Sequence, residues 1–210
     1  MTMTGEKVNP IPNLLTGLRL VAGLVMFLLM AATAGGLYMF SPPIDDRDLL
    51  NSLTRLAFYA FVIAAVTDFF DGYLARHLKA ESEWGAILDP IADKLLVCGT
   101  ILGLFSINPQ PEIAIPAAII LFREFAVSAL REAAAGKNVK IPVSLLAKWK
   151  TTFQLVALGA QLLVQSWSAF NLEASYLTAF NALAFWLIWA AALITLWTGF
   201  LYFRSARQSI

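Results

Sequence analysis

The chain has 210 residues, of which 59% are hydrophobic and only 14% charged, with a formal net charge of +1. A soluble domain carries about 25% charged residues, so this composition excludes an ordinary water-soluble fold. The near-balanced charge identifies no partner by itself, no nucleic acid is expected, and the single cysteine, Cys98, excludes an internal disulfide framework.

Six apolar segments, each near the roughly 20 residues a helix needs to cross a hydrocarbon core, predict an all-α, polytopic integral membrane protein. They form one domain over 1–210, with 1–12 as a cytoplasmic N-terminal segment. The first segment runs from Leu14 to Met39. Asn13, Thr16 and Arg19 recur every third residue at its start and so line one helix face. A cleaved signal peptide, with basic residues before the apolar run Leu20 to Met30, is the competing reading, but a disposable segment needs no such polar face. Pro42, Pro43 and three aspartates mark the next connection as a loop, and Arg55 beyond it is placed to pair with Asp45, Asp46 or Asp48.

The second segment, Leu50 to Leu78, carries Asp68 and Asp71; the third, Gly85 to Ser106, carries Asp89 and Asp93. Spacings of i, i+3 and i, i+4 put both carboxylates of each pair on one helix face. Cys98, mid-span among apolar neighbours, reads as a buried packing residue. After the Asn108-Pro109 break, the fourth segment, Pro111 to Ala135, holds Arg123, Glu124 and Arg131. A break over Gly136 to Pro142 precedes the fifth, Leu145 to Trp167, which opens with Lys148 and Lys150. The sixth is Tyr176 to Phe203. No internal repeat is visible.

Lys7, Arg76, Lys79, Lys137, Lys140, Lys148, Arg204 and Arg207 fall on alternate connections or the two termini. The other connections offer mainly Asp45, Asp46, Asp48, Glu112 and Glu173, with Arg47 as the exception. The positive-inside rule therefore puts both termini, and the carboxylates, on the cytoplasmic side.

Read together, the acidic region is D-x2-D-G-x2-A-R-x8-G-x3-D-x3-D, from Asp68 to Asp93. Carboxylates at membrane depth are expensive and require neutralisation. Hard oxygen ligands suit Mg2+ or Mn2+, and two pairs suffice for two divalent cations roughly 3.5–4 Å apart. Gly72, Ala75 and Gly85 remove bulk beside them, so that a flat or phosphorylated ligand can approach the backbone; taken singly, such residues serve tight helix packing equally well. Arg76 suits a phosphate, or a snorkelling anchor when read alone.

This pattern resembles the signature of the CDP-alcohol phosphotransferase family. Pro12-Asn13-Leu14-Leu15-Thr16 through Arg19, Ala65-Val66-Thr67-Asp68, Arg123-Glu124, Ser128 to Glu132 and Lys148-Trp149-Lys150-Thr151 are similar to its bacterial members that act on glycerol 3-phosphate. The resemblance implies a six-helix fold with a cytoplasm-facing polar cavity, often a homodimer. It implies transfer of the phosphatidyl group from CDP-diacylglycerol to glycerol 3-phosphate, with release of CMP. Carried over residue by residue, Asp68, Asp71 and Asp89 would be metal ligands, and Asp93 both ligand and general base. Gly72, Ala75, Arg76 and Gly85, with Asn13 and Thr16, would line the donor site. The acceptor's dianionic phosphate needs fixed cations: Arg123 and Lys148 first, then Arg131 and Lys150, with Glu124 and Glu132 orienting the arginines. Anchoring to anionic membrane lipids is the alternative role of the lysines. Inositol phosphate, serine or phosphatidylglycerol remain open as acceptors, and a cation transporter as another class. A chain without an organelle presequence fits a bacterial inner membrane.

Overall fold

The computed structural model describes the backbone over 11–35, 46–78, 83–137 and 145–209, and the side chains over 13–35, 46–70, 85, 87–137 and 149–207. Among these residues are six α-helices: α1 (Ile11–Thr33), α2 (Arg47–Leu78), α3 (Glu83–Ile107), α4 (Pro111–Gly136), α5 (Leu145–Gln165) and α6 (Ala174–Ser209). A single 3-10 turn, Ser168–Phe170, lies between the last two.

Local chemistry sets the helix limits. α1 stops at Thr33, well before the Met39 expected from hydrophobicity, because Gly35 adopts φ +77°. There its N–H donates to the Ala32 carbonyl at 3.1 Å, a helix-ending geometry that a residue without Cβ adopts freely. α4 begins with Pro111 directly after extended Gln110, where a missing N–H costs nothing. α6 begins at Ala174 and runs to Ser209, past the expected Phe203, as apolar periodicity gives way to a polar but still helical tail. Four buried hydroxyls are satisfied within their own helices: Thr54, Thr67, Thr100 and Thr198 each donate to a carbonyl one turn back.

Among the described residues, five stretches are long and apolar enough to span a bilayer: Asn13–Thr33, Arg47–Phe70, Ile87–Ile107, Pro111–Gly136 and Ala174–Arg207. Their outward faces are apolar too. Phe122 is 76% exposed and Trp186 68%, a surface suited to acyl chains rather than water. The chain is thus an all-α polytopic integral membrane protein.

α1 packs against both α2 and α3, while α6 packs against α4 and α5. Met26, Met30, Phe61, Leu96, Leu104, Ile120, Leu158 and Ile188 fill the centre. One expectation fails here: Cys98 is half-buried rather than enclosed. Arg55 donates to the Ala169 carbonyl at 3.2 Å and to Ser52 Oγ at 3.1 Å, and among the described residues it makes no ion pair with Asp46 or Asp48; Asp45 lies outside the described residues.

Candidate active site

Successive helices run in opposite directions, so one end of the bundle collects the start of α1, the end of α2, the start of α3, the end of α4 and the start of α5. Thr16, Arg19, Asp68, Asp89, Asp93 and Lys150 lie toward those ends and Glu124 at the middle of α4, and bonds among them cross between helices. Sequence separations of 73 and 74 residues collapse to single hydrogen bonds.

On the acidic side, Thr16 Oγ1 donates to Asp89 Oδ1 at 2.6 Å. Arg19 Nη1 lies 2.9 Å from Asp68 Oδ1 and 2.5 Å from Asp93 Oδ1. Its side chain is only 3% exposed, whereas that of Asp93 is 47% exposed and open to a ligand. Pro90, next to Asp89, gives α3 a residue without an N–H at this level, tolerated where neighbouring helices re-satisfy the freed carbonyl. Gly85 is buried and Asn13 half-buried at the same end. Asp71, Gly72, Ala75 and Arg76 belong to α2 by backbone, but their side chains lie outside the described residues, as does that of Lys148 in α5.

On the basic side, Lys150 is 4% exposed and donates to Glu124 Oε1 in a short contact. Arg123 Nη1 stands 3.5 Å from the same oxygen. Glu124 therefore holds a lysine of α5 as well as its neighbouring arginine, a wider role than orienting the arginines. Lys94 turns away from Asp93 and donates to Ser128 Oγ at 2.5 Å. Arg131 is exposed, its Cζ 6.0 Å from the centroid of the Tyr202 ring.

Two small polar cavities meet at Asp93. One, of about 70 Å³, is lined by Asp93, Lys94, Arg123, Glu124, Ser128 and Arg131. The other, of about 50 Å³, is lined by Asp68, Asp93, Glu124, Lys150, Thr151 and Gln154. A third, apolar groove of about 330 Å³ runs between α2 and α5, from Phe61 and Gly159 up to Asp68.

The donor set is all oxygen, and Asp68 and Asp93 already focus on one cationic atom, that of Arg19. Such a set fits a hard divalent cation. Among the described residues, no three Asp, Glu, His or Cys side chains gather closely enough to hold one by themselves. Arg19, which joins the two carboxylates, has its signal in the sequence in the every-third-residue polar face at the start of α1.

The model of the CDP-alcohol phosphatidyltransferase family matches residues 9–197, and the chain belongs to that family. It is similar to the CDP-diacylglycerol–glycerol-3-phosphate 3-phosphatidyltransferase of Cereibacter sphaeroides, with 38% identity covering 93% of this chain and 95% of the relative. Relatives with the same name in Rickettsia typhi (43% identical, covering 75% of this chain and 84% of the relative) and Haemophilus influenzae (38%, covering 81% and 84%) extend the similarity to other bacteria.

Proposed function

We propose that this chain transfers the phosphatidyl group of CDP-diacylglycerol to glycerol 3-phosphate, giving phosphatidylglycerophosphate and CMP. One observation carries the chemistry: Asp93 stands between a cluster with surplus carboxylates and a cluster with surplus cations, and lines both cavities between them.

Asp68, Asp71, Asp89 and Asp93 would hold two divalent cations, Mg2+ or Mn2+, which when bound supply neutralisation of the pyrophosphate and of departing CMP. Asp93 takes the proton from the primary hydroxyl of the acceptor, whose oxygen attacks the phosphorus that carries the lipid. The bond from that phosphorus to CMP breaks. A carboxylate among cations is a weak base, so alignment of the hydroxyl carries much of the rate. Asn13, Thr16, Gly72, Ala75, Arg76 and Gly85 form the donor site in this reading, and Thr16 fixes Asp89 through its hydroxyl. The apolar groove reaching Asp68 suits an acyl chain of the donor. Arg123, Arg131, Lys148 and Lys150 bind the acceptor phosphate, with Glu124 as the internal anion that holds two of them apart.

In the membrane, α5, with 21 residues, completes a six-span bundle whose polar cavity faces the cytoplasm. The alternation of lysine and arginine supports both termini on that side of a bacterial inner membrane, and family resemblance supports a homodimer.

The test is CMP release by purified protein from CDP-diacylglycerol with Mg2+ and one acceptor at a time. Fastest release is expected with glycerol 3-phosphate. Faster release with inositol phosphate, serine or phosphatidylglycerol, or cation uptake into proteoliposomes without CMP, would defeat the proposal.

A further inference from the structure

Gln154 has no part in the proposed reaction, yet it is one of the most enclosed polar side chains of the described residues. It is 1% exposed, and its Oε1 has no hydrogen-bond partner. An amide oxygen taken out of water without a partner is costly, and native structures rarely leave one so without a reason. Its position supplies the reason. Gln154 lies four residues after Lys150, hence on the same face of α5, and lines the cavity shared by Asp68, Asp93, Glu124 and Lys150.

We propose that Gln154 is a specificity-determining residue that binds the secondary hydroxyl of the three-carbon acceptor. This rests on the reading of the site as one that phosphatidylates glycerol 3-phosphate. The lining chemistry narrows the ligand. Of the acceptor oxygens that line it, those of Asp68 and Asp93 face Arg19 and that of Glu124 faces Lys150, so Gln154 Oε1 is the one that calls for a donated hydrogen bond from a ligand. A phosphate oxygen cannot do that; an alcohol can. A neutral amide also offers an N–H on its other arm, matching the lone pairs of the same hydroxyl. The volume of about 50 Å³ has room for roughly four water-sized groups, which suits a polyol fragment and excludes a cytosine ring or an acyl chain. The phosphate is left to Lys150, which lines the same cavity, and to Arg123, which lines the adjoining one, and the primary hydroxyl to Asp93, which lines both.

The experiment compares glycerol 3-phosphate with 3-hydroxypropyl phosphate, which keeps the reacting hydroxyl and the phosphate but lacks the middle hydroxyl. CMP release gives kcat/KM for each. The wild-type protein should favour glycerol 3-phosphate by about ten-fold, one hydrogen bond's worth of discrimination. In Gln154→Leu, which keeps the volume and removes an unpaired polar group, that preference should fall to nearly one while the KM for CDP-diacylglycerol stays put. Gln154→Met serves the same comparison if the leucine variant is not recovered folded. A preference equal in wild type and variant, or no preference in wild type, overturns the assignment. Wild-type protein that releases no CMP with glycerol 3-phosphate overturns the reaction itself, so the two failures are distinct.

Discussion

The two sides of the site are built on opposite charge balances. On the side of α1, α2 and α3, among the described residues, Asp68 and Asp93 meet the cation of Arg19 and Asp89 meets the hydroxyl of Thr16. On the side of α4 and α5, Arg123 and Lys150 share one carboxylate, Glu124. At membrane depth neither imbalance is comfortable, because charges there lack water to screen them. The first side calls for added positive charge and the second for added negative charge. A metal-bound pyrophosphate against one and a phosphomonoester against the other satisfy both, with Asp93 at the boundary.

The largest expected effect comes from Asp93, since it serves both sides. Asp93→Asn should lower the rate of CMP release by about 10²–10⁴-fold while the protein remains folded by gel filtration. Retention of substantial turnover would remove it as the base. Next is the basic side: Arg123→Ala should raise the KM for glycerol 3-phosphate some ten-fold or more and leave that for CDP-diacylglycerol little changed. Equal changes in both constants would make Arg123 structural and erase the distinction between the sides.

Arg19 tests the acidic side through stability. Arg19→Ala leaves Asp68 and Asp93 facing each other without their shared cation, at a cost of roughly 1–3 kcal/mol given their partial exposure. Thermal unfolding of the variant should occur at lower temperature, and added Mn2+ should restore much of the loss. A melting temperature indifferent to the ion would break the account of surplus negative charge. The smallest effect belongs to Gly199 on α6. A Cβ there would sit 2.9 Å from Arg123 Cγ, close to the root of a side chain that cannot simply swing away. Gly199→Ala should raise the acceptor KM a few-fold, less than Arg123→Ala, and leave donor binding alone.

Much of this was legible in the residues, and the reasons are physical. Apolar runs near the bilayer thickness report helices because no other local structure satisfies its own backbone in lipid. The aspartate spacing reports a shared face because the helix period is fixed. Helix ends were less legible: Gly35 stops α1 through a backbone angle that hydrophobicity does not register. The contact of Arg55 with the Ala169 carbonyl was likewise not legible, since it depends on which segment lies opposite.

The class of molecule, its helical elements and the acidic motif are readable along the chain, because they follow from short-range periodicity and the cost of charge in lipid. That Arg19 joins Asp68 to Asp93, that Glu124 binds Lys150, and that Gln154 is enclosed beside them emerges from the packed bundle alone. Those contacts join helices far apart along the chain, and packing geometry rather than spacing selects them.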